Sequence, residues 1–179
     1  MADAVEVVGI EIAREWLAPP SPKDGSRQPW VELAVRVRND TAEPQYVIGE
    51  IRGIEFDDAT RTLRLRLRDR AAAARGPGEP ILRLTEPKLE RVPPGGEIEL
   101  RIDTPAIQQR MVPGPGLGLT TSPFDLRDVV SVDVELAHAA ERRALVPGAR
   151  APAVASTAKL RMERRDPGRG REEDPVKSE

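Results

Sequence analysis

Residues 62–68 read TLRLRLR, with Leu63, Leu65 and Leu67 alternating with Arg64, Arg66 and Arg68. An extended chain points successive side chains to opposite faces, so strict alternation of leucine and arginine describes a strand with one face in a core and one in water. The preceding residues 45–57, QYVIGEIRGIEFD, and the polar turn DATR make the other arm of an expected hairpin.

The same period of two recurs along the chain. Val5, Val7, Ile10 and Ile12 form a first strand, in which Gly9 shifts the register where a bulge fits. Trp30, Leu33, Val35 and Val37 form a second. Ile81, Leu82 and Leu84 begin another strand, continued by Leu89 and Val92 beyond Pro87. Ile98, Leu100 and Ile102 share one face of EIELRID, and Val130, Val132, Val134 and Leu136 are expected inward. A last strand covers about 157–165, TAKLRMERR. Helical signal is confined to Ala71–Arg75, cut off by Gly76 and Pro77, and to a turn or two within Thr104–Met111. The expectation is an all-β chain: an antiparallel sandwich of seven to eight strands with long loops at 17–29, 105–127 and 138–156.

The chain of 179 residues fits one domain, taken as residues 1–165, followed by a polar tail. Residues 166–179, DPGRGREEDPVKSE, hold no large apolar side chain but Val176 and are expected to be disordered. The aromatic set is Trp16, Trp30, Tyr46, Phe56 and Phe124, so the core must come from valine, isoleucine and leucine. With 28 basic and 30 acidic residues the net charge is −2, which implies no bulk attraction to nucleic acid or anionic membrane. The absence of cysteine removes disulfides, thiolate metal sites and cysteine nucleophiles. The first fifteen residues lack the basic and apolar regions of a signal peptide, and the compartment expected is the cytoplasm. The bias toward arginine, alanine, glycine and proline suits a bacterial coding sequence.

Two segments, AVRVRNDTAEP at 34–44 and VPPGGEIELRIDTP at 92–105, give the chain a pattern that resembles the immunoglobulin-like sandwiches of bacterial accessory domains. The resemblance implies a polar turn opened by Asn39-x-Thr41 and a Pro-Gly-Gly turn leading a strand across to the other sheet. It spans about residues 30–137, carries no catalytic or ligand signature, and lacks the paired cysteines of antibody domains.

Several constellations have ordinary structural explanations. The arginines 61, 64, 66, 68 and 70 could form a phosphate stripe, but no aromatic interleaves them for base stacking. Cross-strand ion pairs with Glu50, Glu55 and Asp57 are the expected alternative. Asp57 and Asp58 fall short of a calcium site and suit a turn, as does Asn39-Asp40-Thr41. His138, the only histidine, has no nucleophile-elbow serine to serve; Ser122 and Ser131 lie in no such motif. PGPGLGL at 113–119 lacks the lysine ending of a phosphate loop.

The segment 106–127 differs from these. It combines Pro113, Pro115 and Pro123 with Met111, Val112, Leu117, Leu119 and Phe124, apolar residues on a chain stiffened before any encounter. Two readings stand side by side, a docking arm and a loop folded back over one end of the sandwich. Leu145 and Val146, in 139–156, form a second candidate surface. The function expected is non-enzymatic: protein–protein contact within a larger bacterial assembly, with no cofactor, metal, nucleic acid or membrane. The partners are other proteins or further copies of the chain. The alternative is a small-ligand or carbohydrate-binding sandwich, whose aromatics would be Trp16, Trp30, Tyr46 and Phe124.

Overall fold

The leucine–arginine stretch forms strand β5 (Thr62–Leu67), and its three leucines are completely buried. The computed structural model describes residues 5–69, 86–114, 116, 118–147 and 153–165. Within them the strands are β1 (Val5–Leu17), β2 (Pro29–Asn39), β3 (Gln45–Ile48), β4 (Gly53–Asp57), β5, β6 (Leu89–Val92), β7 (Glu97–Pro105), β8 (Ile107–Pro113), β9 (Leu119–Asp125), β10 (Ser131–Ala139) and β11 (Val154–Arg164). Short 3-10 turns occupy Leu126–Asp128 and Arg142–Ala144. Among the described residues no helix is long and apolar enough to cross a membrane.

Nine strands form one mixed sheet, in the order β4-β5-β10-β11-β1-β2-β7 with β3 and β6 branching from β10. The sheet curls into a half-barrel, and β8 and β9 make a separate two-stranded hairpin. The all-β expectation is met, but the strand count exceeds seven to eight and the sheet is not purely antiparallel. β1 runs parallel to β11, and β5 runs parallel to β10. Long sequence separation permits this, since parallel neighbours need only a long crossover.

The core lies inside the curl. Leu63, Leu65 and Leu67 meet Val132, Val134 and Leu136 of β10, while Val31, Leu33, Val35 and Val37 of β2 join Val5, Val7, Ile10 and Ile12 of β1. The register of β1 against β2 slips between Val7 and Gly9, where the bulge was expected, and again between Ile12 and Arg14. At Gly9 a Cβ would lie 2.4 Å from the Arg36 guanidinium, so the glycine lets that side chain lie across the strand. The β1–β2 pair continues to Leu17 and Pro29, so the loop between them is only 18–28.

Strand β11 straddles the sheet. Its residues 154–161 pair antiparallel with β10, and its residues 162–164 pair parallel with β1. The Ser156 hydroxyl, buried, donates to the carbonyl of Val5 at 2.5 Å.

Four expectations need correction. The 45–57 arm is two strands: β4 pairs with β5, but β3 turns away to pair with β6 and β10. The break follows Gly49, whose amide donates to the Lys88 carbonyl and whose missing Cβ would lie 2.8 Å from Glu90. Residues 104–111 are the end of β7 and most of β8 joined at a bend at Ala106, not a helical turn. The 105–127 loop holds the β8–β9 hairpin, because neither Pro113 nor Pro123 removes a ladder hydrogen bond; Pro115 lies outside the described residues. Val130 is 56 % exposed, since β10 begins one residue later and the alternation does not reach back to it. The expected strand at Ile81–Leu84, the Ala71–Arg75 segment and the tail 166–179 lie outside the described residues.

The two segments that carried the family resemblance meet in space. β2 pairs with β7 from Arg38 opposite Glu97 to Trp30 opposite Pro105. The Asn39 side chain, fully buried, donates to the carbonyls of Glu43 (2.8 Å) and Pro93 (3.1 Å) and accepts from the amide (3.0 Å) and hydroxyl (2.7 Å) of Thr41. Gly95, at φ +59°, completes the Pro-Gly-Gly turn, and its amide reaches the Thr41 carbonyl. That turn carries the chain from β6, beside β3, to β7, beside β2.

Candidate functional site

Directly opposed residues in the β8–β9 hairpin run from Ile107 with Asp125 to Pro113 with Leu119. The Gly114 amide donates to the Gly118 carbonyl beyond one end, and the Leu126 amide donates to the Ala106 carbonyl beyond the other. Hydrogen-bonded and non-hydrogen-bonded pairs alternate in an antiparallel ladder. The even-numbered residues are therefore the bonded pairs, and the odd-numbered residues turn their backbone groups to the outer edges. Pro113 and Pro123 are both odd, so the N–H each lacks would have pointed away from the partner strand. This is the position at which a strand tolerates proline.

The same parity separates two faces. Phe124, Arg110, Gln108 and Val112 are on the even face. Phe124 is buried and stacks on Phe56 of β4 with ring centroids 4.8 Å apart. The Arg110 guanidinium lies over the Phe56 ring and forms an ion pair with Asp58 at 2.5 Å. Ala106 and Leu126, flanking the hairpin, enter the main core. This face seats the root of the hairpin on the body.

The odd face looks outward and holds Gln109, Met111, Pro113, Leu119, Thr121 and Pro123, all exposed. Met111 is 64 % and Leu119 69 % exposed, the two most exposed large apolar side chains among the described residues. Residues 111–124 include no charged residue, in a chain of which 32 % is charged. The nearest charges are engaged: Arg110 with Asp58, and Asp125 with Arg127 at 2.5 Å. The Arg127 guanidinium and amide hold the Asp125 carboxyl below its ordinary pKa of 3.8.

The sequence candidates are thus dispersed. Met111 and Leu119 share the outer face, and Val112 is half-buried on the inner one. Phe124 lies inside, so the docking-arm and capping readings divide along one hairpin, its root covering the core and its outer face standing free. Leu117 lies outside the described residues. Leu145 is buried with Ile48 and Ala137 in a small second cluster, and Val146 is half-buried beside it, so the 139–156 segment does not present Leu145 at its surface. Its 3-10 turn tucks the leucine under the β3–β6 flank.

The remaining constellations resolve into structure. Arg66 forms a two-pronged bond with Glu55 (2.8 and 2.9 Å), and Arg68 bonds Glu135 of β10 at 2.6 Å. Glu55 was the expected partner; Glu135 was hidden because the β5–β10 adjacency is not local. Asp57 accepts from the amides of Ala59 and Thr60, as a turn former does. His138 is buried on β10 opposite Val47 and Val154. Trp16 and Trp30 pair across β1 and β2 with centroids 6.2 Å apart, and Arg14 lies over Trp16. A cavity of about 280 Å³ opens between the β6 and β7 flanks, lined by Lys88, Glu90, Arg91, Glu99 and Arg101 together with Gly49, Ile98 and Leu100, none of them aromatic. Among the described residues no group of three or more histidine or acidic side chains is placed to hold a metal ion.

Comparison with protein-family models, with curated proteins and with solved structures finds no match to this chain.

Proposed function

We propose that the chain is a non-enzymatic interaction module that contacts other protein surfaces through the outer face of the β8–β9 hairpin. The observation that carries this reading is that Met111 and Leu119 stand exposed on one face, uncharged at 109–113 and 119–123, whose root is fixed by Phe124 and Arg110. Apolar side chains held in place before contact lose little conformational freedom on docking, so the arrangement favours binding. Exposed apolar groups clustered on one element, rather than scattered singly, are the usual mark of an interaction surface. Within this reading the chain serves as an accessory or structural subunit of a larger bacterial assembly.

The test is capture from a native-host extract with the wild-type chain and with Met111→Asp/Leu119→Asp. Both substitutions lie on the outer face, so the double variant should melt like wild type and lose its partners. A variant that folds normally and retains every partner removes the hairpin as the docking surface.

A further inference from the structure

We infer that the free edge of β7 is a strand-acceptor site. It takes an extended segment of another protein in which lysine or arginine alternates with aliphatic residues. This edge is separate from the hairpin, and it binds through backbone rather than through exposed apolar side chains.

The backbone selects the kind of ligand. β7 ends the strand order, with β2 on one side and, among the described residues, no strand on the other. The Asn39 amide donates to the Gly96 carbonyl (2.9 Å) and the Ala106 amide to the Pro29 carbonyl (2.8 Å). Bonded and non-bonded pairs alternate, so the even-numbered residues of β7 are those bonded to β2. Glu97, Glu99, Arg101 and Asp103 therefore turn their N–H and C=O groups away from the sheet. Donors and acceptors repeating every ~6.8 Å along a line complement another extended backbone rather than a compact molecule. The edges at the other end of the molecule are poorer acceptors. β4 has only five residues, and Pro113 and Pro123 remove outward donors from β8 and β9. On β7 the first outward donor missing is that of Pro105, the last residue of the strand.

The inward side selects aliphatic residues. An added strand repeats the alternation of its neighbour, one set of side chains toward the core and the other toward water. The inward residues of β7 are Ile98, Leu100 and Ile102, with no inward charge among them to forbid pairing. Beyond the Pro-Gly-Gly turn β6 leaves β7 and pairs with β3 instead. The cavity of about 280 Å³ opens between the two diverging flanks, with Ile98 and Leu100 in its lining. It gives the inward side chains of a bound strand somewhere to go.

The outward side selects basic residues. Glu97, Glu99 and Asp103 stand there with a single arginine, and Arg101 is already paired with Glu32 and Glu99. Neither Glu97 nor Asp103 has an ion pair among the described residues. Lysine or arginine directly opposite on an added strand neutralises them, whereas acids there are repelled. A second copy of β7 fits less well, because full antiparallel overlap of these positions sets Glu97 opposite Asp103.

The probe is the synthetic peptide acetyl-Lys-Val-Lys-Val-Lys-Val-Lys-amide, titrated to ~1 mM into the isotope-labelled full chain while amide hydrogen exchange is followed by NMR. In the free chain the amides of Glu97, Glu99, Arg101 and Asp103 should exchange readily, and the peptide should protect them. Those of Ile98, Leu100 and Ile102, bonded to β2, should be protected throughout. The analogue with glutamate in place of lysine should bind roughly tenfold more weakly or worse. Arg101→Pro removes an outward donor without touching a bond to β2 and should weaken binding about fivefold. Glu97→Lys/Asp103→Lys, which leaves the backbone intact, should shift the preference toward the acidic peptide and covers the case in which the proline variant does not fold. A basic peptide that leaves the four outward amides unprotected, or binding indifferent to the sign of the peptide, overturns the inference. Protection of those amides in the free chain overturns it as well: at every concentration the edge is taken by the chain itself, and where protection grows with concentration, by another copy.

Discussion

Replacing Asn39 with alanine tests the architecture at the point where two distant segments are joined. The side chain is fully buried and satisfies four groups within 3.1 Å: the Glu43 and Pro93 carbonyls, and the Thr41 amide and hydroxyl. The Val92 carbonyl lies within reach at 3.4 Å. Each bond contributes about 1 kcal/mol net, and a buried group left without a partner costs ~1–3 kcal/mol. Thr41 and Glu43 are near the surface and can be rehydrated, whereas the Val92 and Pro93 side of the clamp is shielded. The sum is a loss of about 3 kcal/mol, which lowers the melting midpoint by roughly 6–12 °C in a chain of this size. Asn39→Asp sharpens the test. A carboxylate keeps the bonds from Thr41 but faces the carbonyls of Glu43 and Pro93, which disfavour the charged form and raise its folded pKa. The deficit relative to wild type should therefore be largest at neutral pH and shrink as pH falls through that raised pKa. Thermal melts followed by circular dichroism from pH 7 to pH 4 measure both. A shift under ~2 °C for Asn39→Ala would refute the clamp, given that each kcal/mol is worth about that much.

Phe124→Ala removes the ring stacked on Phe56 and should cost about 3–5 kcal/mol, read as a lowered melting midpoint. In a double-mutant cycle, Arg66→Ala with Glu55→Gln should give a coupling of ~1 kcal/mol or less that shrinks with salt, and neither change should create or abolish binding to a DNA duplex. Asp125→Asn should destabilise the chain at pH 6–7, with the gap to wild type closing in acid melts. The Asp125 carboxyl is held below 3.8, so its contribution is complete above the unfolded value and is lost as pH falls through the folded one. Ending the chain after Arg165 should leave the melt unchanged, whereas Arg165→Ala should lower it slightly, because Arg165 bonds Glu11 of β1 and Glu99 of β7.

Alternation made the faces legible and left the neighbours hidden. Leu63, Leu65 and Leu67, or Leu33, Val35 and Val37, announce which side of a strand is dry, but a period of two carries no information about the strand alongside. The parallel pairings of β5 with β10 and of β1 with β11 were therefore invisible, and with them the Arg68–Glu135 bond. The Gly9 bulge was readable because the apolar phase changes there. The hairpin was misread for the opposite reason. Pro113 and Pro123 look like strand breakers until the register places both at edge-facing positions, and register is a property of two strands at once. Met111 and Leu119 were legible as candidates by their apolar character, but only the pairing shows that Phe124, on the opposite parity, faces the body.

Strand β11 also dictates when the molecule can be finished. Its last residues lie beside Ile10–Ile12, about 150 positions earlier in the chain, so β1 must wait for them. At a synthesis rate of roughly 5–20 residues per second, that wait lasts on the order of 8–30 s. Throughout it, one flank of β1 presents unpaired backbone to its surroundings, joined near the end by one flank of β10, which precedes β11 by only the residues between Ala139 and Val154. The nascent chain is thus most vulnerable to illegitimate strand pairing just before β11 emerges, and a premature stop ahead of Val154 would make that vulnerability permanent.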